Sequence, residues 1–115
     1  MIDLETTREL LLAFPEVEEW DHFGKLSYRV KGKIFATLDL NTKKAVLKLT
    51  TTQQPEYCEN QAIYPANGRW GILGWTSVHL DGIAPLLFKE AATMAWGNVT
   101  PKKLAKQLKS SKDIV

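Results

Sequence analysis

The chain has 115 residues, 44% of them hydrophobic and 24% charged, with a formal net charge of +2. That is one domain's worth of ordinary globular composition, enough to bury a core without disulfide or metal staples. Cys58 is the only cysteine, which excludes an internal disulfide and a zinc site built from several thiolates. The first residues, Met1-Ile2-Asp3-Leu4-Glu5, lack the basic and apolar regions of a signal peptide. No apolar run is long enough to cross a bilayer, so the expectation is a cytoplasmic protein with no membrane partner.

The predicted elements follow in chain order. Asp3 is a candidate N-cap, or Thr6 or Thr7 if the start is later, for a first helix carrying Leu4, Leu11 and Leu12, which Pro15 ends. Glu16 to Gly24 reads as an extended segment anchored by Val17, Trp20 and Phe23. A meander follows. Leu26, Tyr28 and Val30 alternate with polar residues, Gly32 marks a turn, and Ile34, Ala36, Leu38 and Leu40 form the inward set of the next strand. Asn41-Thr42-Lys43 is the next turn, and Ala45, Leu47 and Leu49 face inward after it. Pro55-Glu56 suits a helix start, Ile63 to Asn67 reads as a loop, and Trp70 to Leu80 as a strand or strand pair. Pro85 to Trp96 is an apolar helix with Gly97 as its C-cap, and Thr100-Pro101 opens a short basic helix. This order predicts a single α+β domain over residues 1–115, a two-layer sandwich of one antiparallel sheet with helices packed on one face.

Charge is distributed in blocks. Residues 1–21 hold Asp3, Glu5, Glu9, Glu16, Glu18, Glu19 and Asp21 against Arg8 alone. Residues 22–54 reverse this, with Lys25, Arg29, Lys31, Lys33, Lys43, Lys44 and Lys48 against Asp39. The last residues are basic again, with Lys102, Lys103, Lys106, Lys109 and Lys112 against Asp113. Blocks of one sign bear on partners more than the total does.

Four stretches, in their shared order, resemble the MmcQ/YjbR family: Leu12-Ala13-Phe14-Pro15-Glu16-Val17-Glu18-Glu19, Gly32-Lys33-Ile34-Phe35-Ala36-Thr37-Leu38, Gly74-Trp75 with Val78-His79-Leu80, and Val99-Thr100-Pro101-Lys102-Lys103-Leu104. The resemblance implies a CyaY-like (frataxin-like) fold and a DNA-binding role with a double-wing motif. It carries no catalytic residues. The segment Ile63 to Leu73, with Asn67-Gly68-Arg69-Trp70, departs from the family pattern.

The meander's outward residues are expected to form a basic face. Arg29, Lys31, Lys33, Lys44 and Lys48 are the candidate phosphate contacts and Phe35 the candidate stacking residue, because cations displace counterions from phosphates and aromatic rings stack on bases. Lys102, Lys103 and Lys106 extend that surface if the two blocks converge. The plainer alternative is a solvated sheet face whose lysines discourage edge pairing. Trp20, Trp70, Trp75 and Trp96 are expected at the core or its rim, with Trp70 the one to consider as an exposed contact. No Cys-His or Ser-His-Asp pattern and no glycine-rich phosphate loop is present, so a non-enzymatic nucleic-acid-binding module without cofactor is the leading expectation. The alternatives are a protein-interaction domain or homodimer, a small-ligand site near His79 and Trp75, and a metal role for the acidic first block.

Overall fold

A computed structural model describes residues 2–101. Ten helices and strands follow one another, with a 3-10 turn (Leu80–Gly82) before the last: α1 (Leu4–Leu12), β1 (Val17–His22), β2 (Lys25–Val30), β3 (Lys33–Asp39), β4 (Lys44–Lys48), α2 (Gln53–Tyr57), β5 (Ile63–Pro65), α3 (Arg69–Ile72), β6 (Trp75–His79) and α4 (Pro85–Val99). All strand pairs are antiparallel and lie in one sheet of order β1-β2-β3-β4-β6-β5. α4 packs on β3 and β4, and α1 on β1. The architecture is the two-layer α+β sandwich expected from the sequence.

Local chemistry accounts for most boundaries. The Asp3 carboxylate caps α1 by accepting from the Thr6 backbone N–H at 2.7 Å. Both early hairpins have two-residue loops, Phe23-Gly24 (φ 55° and 82°) and Lys31-Gly32 (φ 50° and 83°). Two successive left-handed residues make the mirror-image turn that matches strand twist. α4 begins at Pro85, where a missing N–H costs nothing. It does not stop at Gly97 but runs to Val99, and the extended Thr100 ends it (φ −96°, ψ 139°). Pro101 dictates that conformation, because a proline ring disfavours helical backbone in the residue before it. The basic helix expected after Pro101 lies outside the described residues.

Two further segments differ from the sequence reading. Ile63 to Pro65 is a short edge strand, not a loop, and the expected strand from Trp70 is the helical turn α3, with β6 starting at Trp75. Pairing with a neighbour, which no local pattern encodes, separates the two outcomes.

The core lies between the sheet and α4. Trp96 stacks on Phe14 with centroids 5.8 Å apart, and Phe14 meets Phe35 edge-on at 6.2 Å. The Trp96 indole N–H donates to the Pro15 carbonyl at 3.1 Å, tying the end of α4 to the turn after α1. Phe35 is fully buried, which corrects its expected place on the outer face. The cause is a β-bulge. Tyr28 pairs with Ala36 but Arg29 pairs with Ile34, so Phe35 is an extra residue in β3 and the alternation shifts by one. Phe35 turns into the core, Ile34 joins the outer side with Arg29, and Lys33, paired with the buried Val30, moves to the helix side. Trp20 and Phe23 are not core anchors: they are 54% and 92% exposed.

One charged network joins α1 to the sheet. Arg8 makes a two-point bond to Glu19 (3.0 and 2.7 Å), and the Tyr28 hydroxyl donates to the same carboxylate at 2.7 Å. The Arg8 bonds and then the Tyr28 bond hold the Glu19 carboxyl below its ordinary value. Burial, followed by the neighbouring Glu19 charge, raises the Tyr28 phenol.

Replacing Phe35 by Ala is expected to cost about 3–5 kcal/mol in urea unfolding, the cost of emptying a buried aromatic site. A cost within about 0.5 kcal/mol is that of a surface substitution and contradicts the bulge. The Glu19 network sets a pH window. A depressed carboxyl contributes stability above its unfolded value, 4.5, and that contribution disappears as pH falls through the lower folded value. The raised Tyr28 contributes fully below 10.0 and loses its contribution as pH rises beyond it. Glu19→Gln is therefore expected to flatten part of the acid arm of the stability–pH curve, and Tyr28→Phe part of the alkaline arm. Unchanged slopes in both variants contradict the network.

Candidate nucleic-acid interface

Helices cover one face of the sheet, and among the described residues no helix lies across the other. Register identifies the side chains on that open face. Trp20 pairs with Ser27, Ser27 with Thr37, Thr37 with Val46, Val46 with Ser77, and Ser77 with Tyr64. This row crosses all six strands, with small side chains in the middle and an aromatic ring at each end. A second row runs through His22, Lys25, Asp39, Lys44 and His79. On the other side of the first row lie Glu18 paired with Arg29, and Lys48 paired with Trp75.

Three cations on this face lie over aromatic rings. The Arg29 guanidinium carbon is 4.8 Å from the Trp20 centroid, Lys44 Nζ is 5.5 Å from Tyr64, and Lys48 Nζ is 5.8 Å from Trp75. Each pair joins neighbouring or next-nearest strands, so the sheet itself sets the spacing. Arg29 Nε also donates to the Ser27 hydroxyl at 3.3 Å. Trp75 is met edge-on by Trp70 of α3 at 5.9 Å, which carries the aromatic surface beyond the sheet. Among the described residues the one ion pair is Arg8–Glu19, away from this face. The face carries two carboxylates: Glu18 lies beside Arg29 and accepts from the Trp20 indole N–H at 3.4 Å, and Asp39 lies beside Lys25. Backbone N–H donation from Asn41, then from Thr42, and the Lys25 charge hold it below its ordinary value.

The expected site residues divide accordingly. Arg29, Lys44 and Lys48 come together on the open face. Lys31 sits exposed at the β2–β3 hairpin tip, and Lys33 is exposed but displaced to the helix side by the bulge. Phe35 is in the core, and Lys102, Lys103 and Lys106 lie outside the described residues. Trp20, Tyr64, Trp75 and Lys25 belong to the face but were not among the expected contacts. Period-two alternation with Ser77 and His79 was the available signal for Trp75. For Trp20, residue type outweighed position in the sequence reading, since tryptophans are usually buried.

Other chemistry has less to stand on. His79 borders an open hollow of about 860 Å³ lined also by Glu59, Gln61 and Asp81. Among the described residues no group of three His, Cys, Asp or Glu could hold a metal ion, and in the acidic first block Glu19 is already bound by Arg8. Cys58 is half-buried, and burial pushes its thiol up, away from the reactive thiolate. No described helix is long and apolar enough to cross a membrane.

A solved structure shares this fold. Deinococcus radiodurans protein DR2400, with a DUF419 domain, aligns with a TM-score of 0.74 over 94% of this chain and 88% of its own, at 22% identity. No curated protein matches the chain. The sequence pattern of the YjbR family matches residues 12–98, from the end of α1 to the last turn of α4. The chain belongs to the YjbR family.

Proposed function

We propose that this protein is a binding module rather than an enzyme, and that the open sheet face binds nucleic acid. The observation that carries this reading is the set of three cation–aromatic pairs, Arg29–Trp20, Lys44–Tyr64 and Lys48–Trp75, spread across one helix-free face. Phosphate contacts come from Arg29, Lys44 and Lys48, with Lys31 at the hairpin tip positioned to extend them. The row of Ser27, Thr37, Val46 and Ser77 keeps the middle of the face low, so a strand can lie along it between the flanking rings. Trp20 and Trp75 take the stacking role expected of Phe35.

Three phosphate contacts correspond to a slope of about −2 to −3 in log affinity against log salt concentration. Fluorescence anisotropy with a labelled oligonucleotide is expected to show that dependence. The double variant Lys44→Glu, Lys48→Glu is expected to bind at least about tenfold more weakly with a slope shallower by about 2. Affinity unchanged by the double variant, or binding indifferent to salt, overturns the reading.

A second reading, a contact with another copy of this chain, is favoured by Phe23. That residue is 92% exposed at a hairpin tip, in a left-handed conformation that bulky side chains rarely adopt. Sedimentation velocity is expected to show self-association that Phe23→Asp abolishes. A chain that stays monomeric throughout, or a dimer untouched by the substitution, removes this reading.

A further inference from the structure

Three of the exposed large apolar side chains among the described residues fall on α3 and the residue after it. Trp70, Ile72 and Leu73 are 62%, 76% and 59% exposed, all within four consecutive positions. Soluble surfaces seldom leave such a cluster without a partner. The cluster is also held rigidly. A Cβ on Gly71 would lie 2.0 Å from the Ala66 carbonyl oxygen, and one on Gly74 would lie 2.1 Å from that of Leu49, so backbone is pressed against backbone within the turn and just after it. The Gln54 amide reaches from α2 to the Gly71 carbonyl at 3.0 Å and to the Trp75 carbonyl at 3.0 Å. α3 therefore presents its side chains as a fixed wedge, which is the state that loses least entropy on binding.

What surrounds the wedge indicates its occupant. Arg69, Trp70 and Leu73 line an open hollow of about 430 Å³ with an almost wholly apolar surface. Trp70 meets Trp75 edge-on, and Trp75 carries Lys48 over its ring. An apolar slot lined by Arg69, with the Lys48 ammonium one ring away over Trp75, suits a flat, apolar-faced group attached to an anion. That is the chemistry of a nucleobase on its phosphate: an aromatic face stacks on the base while the cations take the backbone.

We infer that α3 is a base-stacking wedge and that the ligand of the open face is nucleic acid with unpaired bases, not an intact duplex. The inference rests on the nucleic-acid reading above and narrows it. Trp70 and Leu73 grip one base, Arg69 contacts its phosphate, and Trp75, edge-on to Trp70, braces that ring against the sheet. In a closed duplex, the base faces that this slot needs are already stacked on one another.

The test compares three probes of equal length, about ten nucleotides: a single strand, the same strand with every base removed, and a blunt duplex. The abasic strand keeps the charge and loses only the rings. The single strand is expected to bind roughly five- to hundredfold more tightly than the abasic strand. Trp70→Ala, at an exposed position, is expected to reduce that preference at least about fivefold, the loss of one stacked base, while leaving abasic binding and salt dependence unchanged. A 2-aminopurine in the single strand is expected to show a fluorescence change on binding that Trp70→Ala removes. Equal affinity for base-bearing and abasic strands overturns the wedge and leaves the electrostatic reading standing. So does a duplex bound as tightly as the single strand, or a base preference that Trp70→Ala leaves undiminished. Failure of all three probes to bind at low salt overturns the nucleic-acid reading itself.

Discussion

The stack of Trp96 on Phe14, with Phe35 edge-on against it, decides which face of the sheet meets water. These three rings come from the last helix, the turn after the first helix and a central strand. Large aromatic surfaces dominate the burial energy of a small domain, and here they also close the chain from end to end. The Trp96 indole N–H on the Pro15 carbonyl adds a directional bond to a non-directional attraction. With α4 seated on β3 and β4 by this contact, one face of the sheet is buried and the other is left free of helix.

The bulge in β3 serves the same cluster. Without the extra residue, strict alternation would turn Phe35 out beside Arg29 and bring Ile34 in. With it, the largest side chain in the strand fills the core, and the neighbouring outer position goes to the half-buried Ile34. The displacement of Lys33 to the helix side follows from the same shift. One inserted position thus reassigns three side chains, because side-chain direction in a strand has a period of two and a single slip reverses it.

Charge follows the architecture. The acids of the first block go to α1 and the edge strand β1, where Arg8 and Tyr28 bind Glu19. Three cations of the meander, Arg29, Lys44 and Lys48, rise from the open face and lie over aromatic rings. Each ring holds the charged head of a lysine or arginine over its face. The likeness to DR2400 extends to the fold, and folds of one kind host many functions. The functional reading therefore rests on this chain's own side chains, above all on the three cation–aromatic pairs of the open face.

Much of the architecture was legible in the sequence because it is local. The Asp3 cap, the proline that opens α4, the turn at Gly32 and the alternation of Leu26, Tyr28 and Val30 depend on residues within a few positions of one another. Arg29, Lys44 and Lys48 share a face for the same reason, since alternation alone places each on the polar side of its strand. The tertiary structure alone decided the rest. The bulge at Phe35 appears only when β3 is paired with β2, and Trp20 is exposed because β1 is an edge strand, which its composition does not announce. The cation–aromatic pairs join residues from different strands, up to 27 positions apart for Lys48 and Trp75. Which ring lies beneath which cation is a matter of register, set by the packing of the whole sheet and not by any stretch of sequence.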